Sequence, residues 1–195
     1  MRGTSGHASF NREGLASGNR TVRLALLALG AVTASALLPA SALAVPTWLS
    51  PTDLSAAGQN AIEPQVAVDP QGDAVAIWKE DGTPERVQSA ERAAGGGTWS
   101  APVDLSADGE DAHLPQLAVD AEDEAVAVWL RSDGSDEIAQ GAVRTPGGVW
   151  STATDLSAAG NEADYPEVAV DPAGHAVAVG VRYNATEATI QGATR

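Results

Sequence analysis

Pro115–Trp129 reads PQLAVDAEDEAVAVW, and it is one of three copies. Pro64–Trp78 reads PQVAVDPQGDAVAIW and Pro166–Gly180 reads PEVAVDPAGHAVAVG, each 51 residues from the next. The frame extends beyond the copies. Trp48, Trp99 and Trp150 keep the spacing, as do Gly58, Gly109 and Gly160, and Asp53, Asp104 and Asp155, each of which opens an Asp-Leu-Ser triplet. A fixed period of about 50 residues is the mark of propellers, solenoids or arrays.

Each copy holds two short apolar runs around a turn. In the first, Val66 and Val68 point to one face and Gln65 and Ala67 to the other, because side chains alternate along a strand. Asp69-Pro70-Gln71-Gly72 suits a tight turn: proline sets φ at its second position and glycine accepts a positive φ. The return run puts Val75 and Ile77 on one face and Ala74, Ala76 and Trp78 on the other. Both faces are apolar, so the strand is buried on two sides and neighbouring units must cover it.

Working outward, the spacing predicts four strands per period. These are Gln65–Asp69, Asp73–Lys79, Glu85–Arg92 and Thr98–Leu105, then Gln116–Asp120, Glu124–Leu130, Glu137–Arg144 and Val149–Leu156, then Glu167–Asp171, His175–Arg182 and Ala188–Thr194. Thr47–Leu54 reads as a strand of the fourth type. Turn signals recur every 8–12 residues and no helical periodicity follows residue 45, so the fold class is all-β.

Residues 1–44 read as a secretion signal: Arg20 and Arg23, a mostly apolar run Leu24–Leu38, then the small residues around Ala42-Leu43-Ala44. The competing reading is a retained anchor, for which that run is short. Cleavage after Ala44 leaves 45–195 as one repeat domain with units at about 48–98, 99–149 and 150–195, and places the protein outside the cell. The net charge is −15, and four of the eleven basic residues precede residue 45, so the remainder is more acidic still. Such a surface repels nucleic acid and anionic membranes. There is no cysteine, so export does not serve disulfide formation.

Arg92, Gly96-Gly97-Thr98-Trp99-Ser100-Ala101-Pro102 and, one period on, Arg144, Gly147-Gly148-Val149-Trp150-Ser151 resemble blades of the sialidase-like propellers, the bacterial-neuraminidase or Asp-box repeat group. The glycines and tryptophan of that family's Ser-x-Asp-x-Gly-x-x-Trp turn are kept, and its Ser and Asp are not. The resemblance implies three four-stranded propeller-type blades, with ligands on the face formed by the loops after the second and fourth strands. Propellers have about 4–8 blades, so the expectation is a partial propeller or half of an oligomeric one.

The chemistry expected of these residues is modest. Arg92, Arg144 and Arg195 end the third strands in successive periods and read as structural residues spanning to acidic neighbours, not as a sialidase arginine cluster. Asp69, Asp120 and Asp171 suggest Ca²⁺, but a single Asp before each turn is better read as accepting the turn's own N–H groups, and the Asp53 series likewise. No cofactor or metal is expected. Trp48, Trp99 and Trp150 read as core between blades. Trp78 and Trp129, with Gly180 in the third copy, are candidate ligand contacts set against a core reading. The segments after each Leu-Ser differ between copies, and they supply Asp111, His113, Glu162, Asp164 and Tyr165 as further ligand candidates on crossing loops.

Two functions fit. One is a secreted, non-enzymatic repeat protein that binds carbohydrate or a protein. The other is a fragment of a sialidase-like exo-glycosidase whose catalytic blades are missing, since no carboxylate pair of the kind glycosidases use stands out here. Thr47–Leu54 completing the last blade of another copy points to a homo-oligomer formed by strand exchange.

Overall fold

The computed structural model describes residues 47–195, and the expected signal lies outside them. Leu49–Arg195 form one compact unit. It contains three antiparallel sheets and, among the described residues, no helix. Blade 1 is β1 (Ala61–Val68), β2 (Ala74–Glu80), β3 (Arg86–Arg92) and β4 (Val103–Asp104) in that order. Blade 2 is β5 (Ala112–Val119), β6 (Ala125–Ser132), β7 (Glu137–Thr145) and β8 (Val149–Trp150), with β9 (Thr154–Asp155) also on β7. Blade 3 is β10 (Glu162–Val170), β11 (Ala176–Tyr183) and β12 (Ala188–Thr194). The first strands β1, β5 and β10 are neighbours, so successive blades adjoin along their innermost edges in the propeller manner.

The repeated turn explains the Asp69 series. Asp69 Oδ1 accepts the N–H groups of Gly72 at 2.7 Å and Asp73 at 2.8 Å. Asp120 accepts those of Glu122 and Glu124, and Asp171 those of Ala173 and His175. Each turn's backbone donors are satisfied locally by its own carboxylate. Gly72 closes the first turn at φ +95°, a conformation that costs glycine nothing. The Asp53 series does something else. Asp104 and Asp155 each accept the side-chain amide of Gln88 or Gln140 at 2.8 Å, across to the third strand of the blade.

Two features of the strands differ from the sequence reading. The first strands begin earlier than expected, at Ala61, Ala112 and Glu162, so the second half of each supposed crossing loop is strand. Their pairing slips by one residue at Ile62/Gln65, His113/Gln116 and Asp164/Glu167. Glu63, Leu114 and Tyr165 take up the slip at φ 55°, 51° and 49°, each just before the repeated proline. Proline cannot donate to a ladder and so sits at a bulge. The fourth strands shrink to two-residue bridges, and Thr47–Leu54 forms no strand. Val103–Asp104 pairs with Gln88–Ser89 and Thr154–Asp155 with Gln140–Gly141, so each such bridge needs a third strand earlier in the chain to pair with. Among the described residues no sheet precedes Thr47–Leu54.

The core lies in the seam between blades 1 and 2. Val75, Ile77 and Val87 of blade 1 meet Ala112, Ala125, Ala127, Trp129 and Ala142 of blade 2, with Leu105 wedged between them. Leu117, Val119 and Trp150 pack against this cluster. Ala76, Trp78 and Ala90 form a second cluster on the far face of blade 1, covered by Leu54 and Trp99. Trp99 also lies under the Arg92 guanidinium, 5.7 Å from its ring centroid. Trp48, expected in the core with Trp99 and Trp150, is instead fully exposed; among the described residues no sheet lies before it.

Charge crosses the seams too. Arg144, buried, donates to both carboxylate oxygens of Glu91 in blade 1 at 2.6 and 2.8 Å, and to Asp123 in its own blade. Arg195 reaches from blade 3 to Glu124 of blade 2 in the same way. A guanidinium fork matched to one carboxylate is the geometry in which a partly buried pair holds two elements in register.

Deleting the Trp129 ring removes the largest side chain of the packed seam, so Trp129→Ala should cost about 3–5 kcal/mol. Trp48→Ala should stay within about ±0.5 kcal/mol. Urea unfolding of the two variants checks this assignment.

Candidate ligand-binding site

The residues singled out in the sequence separate into two groups. Trp78 and Trp129 are interior, 4% and 0% exposed. Each indole N–H donates to the glutamine opposite it, Gln88 or Gln140, at 3.2 Å. The expectation of ligand contact is corrected for both: ring and N–H alike are spent on the core. The alternation that places them opposite these glutamines is plain in the sequence, but the depth of burial depends on the neighbouring blade and on Leu54.

Of the other five, His113, Glu162, Asp164 and Tyr165 lie on the first strands of blades 2 and 3, and Asp111 lies just before the first of these. Asp111 accepts the Glu85 N–H of blade 1 at 2.8 Å. Glu162, one period on, does the same for Glu137 of blade 2 at 3.3 Å. Both are seam-crossing acceptors. His113 Nε2 stands 3.7 Å from Glu137 Oε2, an oxygen that is enclosed and has no hydrogen-bond donor. Desolvation therefore pushes the Glu137 carboxyl above its ordinary value; His113 pulls it back and Glu162 and Asp111 push it further up. The structure thus gathers Asp111, His113 and Glu162 about Glu137. Glu137 itself was missed, because in sequence it is only the start of a strand. Among the described residues, no cluster of three or more such side chains is arranged to hold a metal ion.

Asp164 and Tyr165 lead away from this cluster. Asp164 lines a groove between blades 2 and 3, and Tyr165 beside it is exposed. The groove exists because the second seam is not packed like the first. Gly180 pairs with Gln191 where Trp78 pairs with Gln88 and Trp129 with Gln140. Without an indole, the walls are Val128 and Leu156 of blade 2 against Ala163, Pro166, Ala178 and Ala193 of blade 3, with Ser157, Asp164 and Gln191 as polar groups. Beside Gly180 the space is small, about 30 Å³. A larger cavity of about 490 Å³ adjoins it along the same seam, sharing Val128, Leu156, Ala178 and Ala193 and running past Val126, Val168 and Ala176 to Ser151 and Arg195. That is within the range of about 300–1,000 Å³ typical of small-molecule sites, and so is its make-up, mostly apolar with a few convergent polar groups. Gly180 also sits close to backbone: a Cβ there would lie 3.2 Å from the Asp164 carbonyl oxygen. The signal for this site was present in the sequence as the break in the tryptophan series at Gly180.

The raised Glu137 carboxyl has a pH consequence. A group whose folded value lies above its unfolded one favours the folded state most when protonated. Its contribution is intact below the ordinary glutamate value of about 4.3 and is lost as pH rises through the folded value. Glu137→Gln should therefore raise the urea midpoint at pH 7 relative to the parent, and the difference should shrink below pH 4. Parallel melts at the two pH values measure it.

No known protein family matches the chain, and no curated protein is similar to it. Among solved structures, the chain is similar to the crystal structure of endo-arabinase from Bacteroides thetaiotaomicron VPI-5482, at 12% identity and a TM-score of 0.44. That alignment takes in 76% of this chain and 60% of the arabinase.

Proposed function

We propose that this chain is a secreted, non-enzymatic repeat protein that binds carbohydrate in the groove between blades 2 and 3, and that its blades belong with the sialidase-like group. The observation that carries the reading is the second seam, where Gly180 stands in place of an interior tryptophan and a cavity of about 490 Å³ adjoins it. A sugar ring has an apolar face of C–H groups and a rim of hydroxyls. Val128, Leu156 and Ala178 offer a surface for the first; Ser157, Asp164 and Gln191 offer donors and acceptors for the second. Tyr165 adds an exposed aromatic at the edge of the site.

Charge narrows the ligand. Asp164 lines the groove and the chain carries a net charge of −15. An anionic sugar would meet repulsion along its approach, so a neutral saccharide is favoured over a sialoside. The carboxylates nearby have structural duties as well: Glu162 and Asp111 accept backbone N–H groups across the seams. This supports a binding role over a catalytic one.

Titration calorimetry with neutral oligosaccharides tests the proposal. Binding should weaken about tenfold or more on Gln191→Ala and on Tyr165→Ala, roughly the loss of one good contact each. Aryl glycosides should be left intact by the protein. Tight binding of sialosides, or neutral-sugar binding untouched by both substitutions, sinks this reading.

Export rests on the sequence alone. An apolar run followed by Ala42-Leu43-Ala44 motivates processing after Ala44. N-terminal sequencing of protein recovered from the medium should begin at Val45; recovery with membranes and an intact N-terminus counts against it.

A further inference from the structure

Blades 1 and 3 each turn one apolar sheet face outward, and the repeat register makes the two faces halves of a seam already present in the molecule. On blade 3 these are Val177, Val179 and Ile190, the last 71% exposed. Their counterparts one and two periods earlier include Val75, Ile77 and Val87, all buried in the first seam. On blade 1 the outward residues are Val66, 65% exposed, and Val68. Their counterparts Leu117 and Val119 pack in that same seam.

The edges match as well as the faces. In blade 1, Asp104, Leu105 and Ser106 close the outer side of β3: the Gln88 amide donates to Asp104, the Leu105 N–H to the Val87 carbonyl and the Val87 N–H to Ser106 Oγ. In blade 2, Asp155, Leu156 and Ser157 make the same three bonds with Gln140 and Ala139 of β7. In blade 3, β12 is an edge strand among the described residues, and Ile190 and Gln191 hold the equivalent positions. The third copy of the closing triplet is Asp53-Leu54-Ser55. It is already seated on blade 1's outward face, where Leu54 packs over Trp78 as Leu105 packs in the first seam.

We propose that the chain binds a second copy of itself head to tail, with Asp53, Leu54 and Ser55 on blade 1 of one copy closing β12 on blade 3 of the other. The Gln191 amide then donates to Asp53, the Leu54 N–H to the Ile190 carbonyl, and the Ile190 N–H to Ser55 Oγ. Val177, Val179 and Ile190 are covered by Val66, Val68 and the Trp78 face. No carboxylate is required from the partner, because Arg92 stacks on Trp99 of its own blade where Arg144 and Arg195 reach back across a seam. The contact joins two different surfaces, so two such seams close a ring of two copies.

The test uses the full chain and a measurement of mass in solution, by light scattering or sedimentation. The parent should have twice the chain mass. A tail variant, Val177→Glu with Ile190→Glu, and a head variant, Val66→Glu with Val68→Glu, should each be monomeric. Mixed together they should form a heterodimer, since the mixture retains one intact head and one intact tail. Asp53→Ala with Ser55→Ala alters only the closing triplet and should weaken dimerisation about tenfold or more. It keeps the proposal testable if the charge variants fail to fold. A parent that stays monomeric at its highest soluble concentration overturns the proposal. So does a parent dimer that is indifferent to Asp53→Ala with Ser55→Ala, or folded head and tail variants that do not pair when mixed.

Discussion

A sheet that is apolar on both faces has to be covered twice. Every blade of this protein carries that requirement, because each second strand places Val or Ile on one side and Ala with Trp or Gly on the other. Blade 2 meets it fully: Ala125–Leu130 is buried end to end between its neighbours. Blade 1 meets it with one neighbouring blade and with Leu54 and Trp99 folded over its far side. In blade 3 the side chains of β11 alternate between partial cover and exposure. Stability in such an array comes from each unit and from the seams between nearest neighbours, so the packed first seam supports everything attached to it.

The two seams share a plan and differ in filling. Both have a leucine from the fourth-strand segment, a serine hydroxyl accepting a third-strand N–H, and an arginine reaching back to a glutamate of the previous blade. The largest difference lies on the second strand. Trp129 fills the first seam, and Gly180 leaves the second one open. A repeat can be converted locally from packing to cavity in this way because the hydrogen-bonded frame does not depend on the ring. The bonds from the third strand to the Asp-Leu-Ser triplet form in blades 1 and 2 whether the adjoining seam is filled or open.

The acidic composition has a structural account as well. Turn aspartates satisfy their own turns, Asp104 and Asp155 accept glutamine amides, and Asp111 and Glu162 accept N–H groups of the preceding blade. Carboxylates take up donors that strands leave free at their ends, and ionised acceptors make the stronger hydrogen bonds. Glu137 and Asp69 each keep one enclosed oxygen unpartnered, and at Glu137 the raised carboxyl follows from desolvation.

The period, the alternation and the turn residues determined the all-β repeat, the second and third strands and the role of the Asp69 series, because these depend on neighbours a few residues away. The same local logic misread what depends on distant partners. Thr47–Leu54 has strand composition but, among the described residues, no third strand beside it. The first strands run through Pro64, Pro115 and Pro166 because Glu63, Leu114 and Tyr165 adopt a positive φ and form a bulge that no spacing announces. Trp78 and Trp129, at strand ends, left ligand contact and core both open in the sequence, and residues from other segments bury them. Gly180 was legible as a break in a series, but only the packing of blade 3 against blade 2 shows that its effect is a groove. Burial and cavity shape are properties of two surfaces brought together, and a sequence lists those surfaces without saying how closely they meet.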